Sequence, residues 1–432
     1  MGKGASARYR RPMGRHPEAT TASQHEQRAL AALDPARLTS DLARLVRERS
    51  VTGAEREAVE LVAALGEELG LPGEVVEHDL AALRRAPAHP GEEALRSELV
   101  HAEVTLRGSD PGAGRLCLNG HVDVVPEGAQ PWAHGPWSGV VVDGELHGRG
   151  AADMKAGVVA ALHAMAAVAA AGVTLRGDVV LQAVGSEEDG GLGSFAALER
   201  DSAFVACLIP EPTGFELVCA QAGALTFSGT VTGKAAHAAV RLSGVSAIDR
   251  YLPLHAALHA HERAVNADVE HPLMCAHALP YPLSVGRLEA GNWSSQVPDE
   301  LRFEGRLGVR IGQDVATARG ELQAAVDAAT GDGEAVALHW TGGQFAPAET
   351  AADHPWVQLV RDAAAAELGA PPPVAGATWG ADMRLFAAKG IPCVMLGTAG
   401  LEHAHGVDER VRVSECEQLA RILVRALTRF SS

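Results

Sequence analysis

Three short apolar segments, Arg115–Leu118, Asp178–Val184 and Phe204–Ile209, are spaced around an alanine-rich stretch, Met154–Ala171. That alternation limits the possible folds more than any other feature of the chain. Apolar runs of this length read as strands buried on both faces, and the longer run between them as a buried helix, which together predict an α/β sheet domain. Upstream, Leu38, Leu42, Leu45 and Val46 recur at helical spacing from Pro35, and a second amphipathic helix is expected over Glu55–Leu69. The pattern changes after Leu217. Ala224–Val231 and Glu300–Val309 read as strands around helices at Val245–Val265 and Ala316–Ala329, as in a small α+β insertion. Signals of the first kind resume at Val336–His339, His354–Leu368, Val394–Leu396 and Glu415–Thr428. The expected organisation is therefore a larger domain in two pieces, 35–217 and 333–432, interrupted by a smaller one, 218–332. Residues 1–34, rich in Arg, Ser, Ala and Gly, read as a disordered leader.

At 432 residues the chain is long enough for two domains and a buried site. Its formal charge of −17 disfavours nucleic acid and anionic membrane surfaces, both of which call for clustered Lys and Arg. No apolar run is read as approaching the length of a bilayer span, so no membrane role is expected and a small-molecule partner fits better. The six cysteines, Cys117, Cys207, Cys219, Cys275, Cys393 and Cys416, show no paired spacing and read as core thiols. With no long apolar segment in the leader, a cytoplasmic location is expected.

Five segments carry chemistry. In Leu118-Asn119-Gly120-His121-Val122-Asp123 a histidine and a carboxylate follow a buried strand, the place where ligands gather in open α/β sheets. Taken alone, such a histidine is more often structural than a ligand; Asp123 is near enough to hold its other ring nitrogen. The glycine-rich turn Gly148–Gly157 delivers Asp153 at the mouth of the alanine-rich helix, where it reads equally well as an N-cap. Ser186-Glu187-Glu188-Asp189-Gly190-Gly191 puts three acids after an apolar strand, a pattern usual in solvated turns but also one whose repulsion a cation relieves. Glu211 ends another strand, and Glu402-His403-Ala404-His405-Gly406-Val407-Asp408-Glu409 follows the strand Val394–Leu396. Together these strand ends offer the imidazoles and carboxylates that suit borderline ions such as Zn²⁺ or Co²⁺.

The motifs GHVDVVP, PWSG, GRGAADMKAG, SEEDGG, PEPTG and AHGVDE, in that order, resemble those of the M20 metallopeptidase family. That family includes acetylornithine deacetylase, succinyl-diaminopimelate desuccinylase, aminoacylase and glutamate carboxypeptidase, and the resemblance covers nearly everything after the leader. It implies a zinc-exopeptidase-like catalytic domain with a central mixed sheet flanked by helices, interrupted by an α+β lid that commonly also makes a homodimer. It further implies two divalent ions per chain, zinc foremost with cobalt or manganese as alternatives. Asp153 would bridge them, with His121 and Glu211 completing one site and Glu188 and His405 the other. Glu187 would be the general base and Asp123 would orient His121.

Within the lid, Gly233-Lys234-Ala235-Ala236-His237-Ala238 matches the family motif whose histidine stabilises a developing oxyanion, often across the dimer interface. Asp382-Met383-Arg384 resembles the segment whose arginine grips a substrate carboxylate, a task that suits a planar guanidinium. Where many relatives carry an Asn before a Val-Pro pair and an Arg on the next strand, this chain has Ser295 and Gly308, leaving Asn292 or Arg306 as substitutes. Of the two neighbouring histidines, the H-x-x-D-E spacing selects His405 over His403. The implied activity is removal of an acyl group from an N-acyl amino acid by attack of metal-bound hydroxide. A dipeptidase or carboxypeptidase acting on short peptides would share every ligand, and a catalytically inactive binding homologue is the reading from another class.

Overall fold

The computed structural model describes residues 17–330 and 335–430. Its main body is a nine-stranded mixed sheet whose strands run in the order Gly73–Glu77, Val100–Leu106, Val179–Val184, Leu116–His121, Ala206–Ile209, Cys393–Met395, Leu217–Gln221 and Ala348–Glu349. Val374–Ala377 pairs beside Leu217–Gln221. The four strands at the centre, beginning at residues 179, 116, 206 and 393, are mutually parallel, so their carboxyl ends open on one side of the sheet. All four are buried along their length, as their predominantly apolar sequences require, with Asn119 and Gln182 among the buried side chains.

Helices cover both faces. The helix Pro35–Arg47 starts on an Asp34 side chain that accepts from Arg37 N at 3.0 Å, with proline in its first turn, and it buries Leu38, Leu42, Leu45 and Val46 as the periodicity predicts. The helix Ala156–Ala170 is buried almost all round, between the sheet and the C-terminal helix Val413–Phe430. With the preceding turn, Ala151–Ala170 is long and apolar enough by composition to cross a membrane, which corrects the reading that no run approaches that length. It is 94% buried inside the protein, so here it is a core helix.

Three further expectations are revised. Within the stretch read as a disordered leader, Pro17–Ala31 forms a helix that packs on the C-terminal helix. Ala29 is wholly buried, and Glu26 pairs with Arg425 and, at 2.9 Å, with Arg429; residues 1–16 lie outside the described residues. The strand expected at Val336–His339 runs over Leu338–Phe345 and joins the smaller domain, pairing with Gly223–Thr232. That domain is a four-stranded antiparallel sheet, ordered 283–290, 300–309, 223–232 and 338–345, covered by helices Ala247–Val265 and Val315–Thr330. Leu217–Gln221 belongs to the large sheet, so the insertion occupies roughly 223–345 rather than 218–332. The reason is burial: Val336 and Leu338 pack into the small core with Phe227, Phe303, Leu322 and Val326.

Candidate metal centre

The loops at the carboxyl ends of the four parallel strands converge on a cleft of about 320 Å³ between the large sheet and the smaller domain. His121 is the last residue of its strand and is buried. Its Nδ1 lies 2.8 Å from the Asp123 carbonyl oxygen, which can only accept, so Nδ1 donates there and Nε2 is the ring nitrogen turned toward the carboxylates. That Nε2 is 3.0 Å from Asp153 Oδ1 and 3.9 Å from Glu211 Oε1. On the other side, His405 Nε2 lies 3.1 Å from Glu188 and 3.6 Å from Asp153 Oδ2. Asp153 thus divides its two oxygens between two imidazoles, and the five residues fall into the two groups expected. His121, Asp153 and Glu188 each bring a ligand atom within 4.8 Å of the others. His403 turns instead toward Glu402.

Asp123 holds His121 through its backbone carbonyl, with its carboxylate Oδ1 3.6 Å from the same Nδ1. The buried carboxylate accepts from the amides of Glu187 at 3.1 Å and Glu188 at 3.2 Å and from Thr52 Oγ1 at 3.0 Å, fixing the acidic turn. The turn that presents Asp153 is held in the same way by Glu409. This buried side chain accepts from Arg149 Nη1 at 2.7 Å, Gly150 N at 2.9 Å, Ala152 N at 3.0 Å and Asp153 N at 3.1 Å. Lys155, fully buried two residues on, donates to the carbonyls of Leu45 and Glu48 at the end of the helix Pro35–Arg47. Glu409 stood in view within the AHGVDE motif, but nothing in its spacing identified the turn it holds.

The electrostatics of the site follow from its crowded, buried acids. Burial pushes the carboxyls of Glu187 and Glu211 well above the ordinary range and that of Asp123 to about 7. Burial opposes a charged His121, but its hydrogen bond to Asp153 and the nearby Glu211 outweigh that and raise its pKa; the bond to Glu188 raises that of His405. A half-buried set of two imidazoles and several carboxylates, all aimed at one space, is the donor chemistry that borderline divalent ions take.

The wall contributed by the smaller domain includes Thr226, Arg306, Gly343 and Phe345. Arg306 is open to the cleft, and among the described residues it has no ion-pair partner. The other expected substrate contacts are not brought here. Asn292 lies exposed on the turn after Leu283–Ala290, away from the cleft lining. Arg384 is buried behind the site, its Nη1 on Ala381 O at 2.9 Å, its Nη2 on Gly190 O at 2.5 Å and its guanidinium 4.0 Å from the Phe345 ring. With those donors taken, it braces the acidic turn and offers no free fork. His237 is exposed at the end of Ala236–His237, its Nδ1 accepting from Ala239 N, and it does not line the cleft of its own chain.

The sequence pattern of Peptidase family M20/M25/M40 matches residues 117–429. The chain belongs to this family. As an M20 protein it is a hydrolase of amide bonds. It is 31% identical over 396 residues to a succinyl-diaminopimelate desuccinylase of Methylobacterium nodulans, covering 89% of this chain and 93% of that protein. Against the enzyme of that name from Paracoccus denitrificans it is 31% identical over 340 residues, or 74% and 84% of the two chains. A Staphylococcus aureus tripeptidase shares the fold with TM-score 0.73 at 20% identity, over 92% of this chain and 99% of that one. A Bacillus subtilis protein described as a dinuclear metal binding peptidase of the M20 family superposes with TM-score 0.64 at 16% identity, over 92% and 98%.

Proposed function

We propose that this M20 hydrolase removes the acyl group from N-acyl amino acids, using His121, Asp153, Glu188, Glu211 and His405 to hold two divalent ions, zinc foremost. The observation that carries the reading is the division of Asp153 between the His121 and His405 groups beside a buried glutamate. When bound, such ions polarise an amide carbonyl and make water acidic enough to deprotonate near neutral pH. Glu187 then takes the proton from the attacking water and returns it to the leaving nitrogen, a double task that suits a carboxylate whose proton affinity burial has raised. Arg306, unpaired and open to the cleft, binds the substrate carboxylate. Relatives named for desuccinylation favour an acyl group over a peptide, although a dipeptidase would use the same residues.

We place the enzyme in the cytoplasm, in keeping with cysteines that are all free among the described residues. We also assign it a homodimer through the smaller domain. Strand Leu283–Ala290 is an open sheet edge, and Ile248, Leu252 and Leu288, respectively 41%, 61% and 49% exposed, line an apolar groove of about 400 Å³ beside it. In the dimer His237 serves as the oxyanion donor for the partner. The test is hydrolysis of acetyl- and succinyl-amino acids and dipeptides by metal-stripped enzyme titrated with Zn²⁺, Co²⁺ or Mn²⁺. Activity on acyl amino acids that rises to two ions per chain supports the reading. Two ions bound with only dipeptides cleaved overturns the substrate class, and no ion bound overturns the site. Sedimentation of the holoenzyme as a monomer would remove the dimer and the role of His237.

A further inference from the structure

The lid-side wall of the cleft carries an acid that the chemistry above does not use. Glu93 comes from the loop preceding Val100–Leu106 and lines the cleft. Its Oε1 accepts from Gly343 N at 3.2 Å and lies 3.5 Å from Thr226 Oγ1. Among the described residues no Lys, Arg or His pairs with it. Thr226 in turn sits directly opposite Arg306 across the antiparallel pair Gly223–Thr232 and Glu300–Val309, so the two side chains share the face turned to the cleft. A guanidinium and a carboxylate, neither with an ion-pair partner among the described residues, therefore stand on either side of Thr226, near enough for one small molecule to reach both. Glu93 is also fixed in place. The amides of Glu93 and Ala94 both donate to Asp189 Oδ2, at 3.0 and 2.8 Å, and Asp189 is tied to buried Arg96.

We infer that Glu93 is a specificity residue selecting substrates that carry a protonated amine in addition to the carboxylate bound by Arg306. The inference rests on the deacylase reading above and narrows it to N-acyl amino acids with a second, cationic group. Glu93 is exposed in the open cleft, so a bound cationic group meets its charge, whereas a neutral isostere covers that charge without supplying a partner.

The test uses zinc-loaded enzyme and a matched pair, Nα-succinyl-lysine and Nα-succinyl-2-aminoheptanoate, in which a methyl group replaces the ammonium; the acetyl pair is run alongside. The wild type is expected to favour the cationic member by about tenfold or more in kcat/KM. Glu93→Gln keeps an oxygen for Gly343 N and removes only the charge, so it should erase that preference, and Glu93→Lys should reverse it. Equal efficiency on both members, or an equal fall for both in Glu93→Gln, overturns the inference, because Glu93 would then be only a fastening between loop and lid. Calorimetric titration of both compounds separates this from the deacylase reading. Preferential binding of the cationic member without cleavage supports the charge selection and sinks the deacylase, whereas cleavage of both without preference does the opposite.

Discussion

Replacing Glu409 by glutamine tests whether the metal centre is built by its turns as much as by its ligands. One carboxylate oxygen accepts from Ala152 N and Asp153 N, the other from Arg149 Nη1 and Gly150 N. Glutamine supplies one oxygen and one NH₂, so two of these four contacts become donor against donor. A buried donor left unpaired costs about 1–3 kcal/mol, and Arg149, itself buried, also loses its counter-charge. Breaking a buried ion pair from one side costs about 3–5 kcal/mol. These terms overlap, and burial already pushes the Glu409 carboxyl above its usual range, which offsets part of the value of its charge. The expected loss is therefore about 3 kcal/mol, a large share of the roughly 5–15 kcal/mol by which domains are stable. Because the displaced turn carries Asp153, zinc affinity should also fall by about 10–100-fold, as it does when groups behind metal ligands are changed. Urea unfolding of the metal-free protein and zinc titration by calorimetry read the two effects separately. A Glu409→Gln protein within about 0.5 kcal/mol of wild type, with unchanged zinc affinity, would refute the idea that this carboxylate sets the turn.

Glu187→Gln should bind two ions per chain as before while kcat falls by about 10²–10⁴-fold; undiminished turnover with metal in place would eliminate Glu187 as the base. Arg306→Leu should lower kcat/KM by about 10–100-fold, the value of a charge-assisted hydrogen bond, with the loss absent for substrates whose carboxylate is amidated. His78, held at about 4 by burial and by the neighbouring His101 and Arg200, is protonated more readily in the unfolded chain than in the folded one. Stability is thus complete above about pH 6.5 and declines as the pH falls toward 4. The decline attributable to His78 is about 1 kcal/mol once its partial exposure is allowed for. Urea midpoints of wild type and His78→Gln at pH 7 and pH 5 check this, and an equal decline in both proteins would assign the effect elsewhere.

Much of the fold was legible because buried strands and helices leave period and length in the sequence. Glu300–Val309 has the bounds its alternation predicts, and the helix expected from Pro35 buries the residues that suggested it. Errors arose where a local signal was outweighed by distant contacts. Asn119 interrupts the apolar run that begins at Leu116, yet the strand continues to His121 because Ser194, 75 residues away, exchanges hydrogen bonds with the Asn119 side chain. Thr341-Gly342-Gly343 resembles a turn, but it is a bulge within Leu338–Phe345, so this strand was both shortened and given to the wrong domain. In the helix Pro17–Ala31, Glu26 meets Arg425 and Arg429 some 400 residues on, a pairing that composition cannot reveal.

The proposed metal ligands were easier to read than the substrate contacts for a physical reason. A divalent site demands particular atoms, and parallel strands fix where those atoms emerge, so residue type and a strand end suffice to suggest His121, Glu188 or Glu211. Whether an arginine can bind substrate depends on whether its donors are already occupied. Arg384 donates to a carbonyl 194 residues away and stacks on Phe345, whereas Arg306 has no such partner among the described residues. Neither condition is written near either arginine. The same holds for Glu409 and Asp123, whose carboxylates accept backbone amides from turns about 259 and 64 residues distant. Sequence therefore indicates which atoms could do the chemistry, while the occupancy of their hydrogen bonds decides which remain free to do it. On that basis Arg306 and Glu93, facing one cleft with no ion-pair partner among the described residues, weigh more in assigning the substrate than the family position of Arg384.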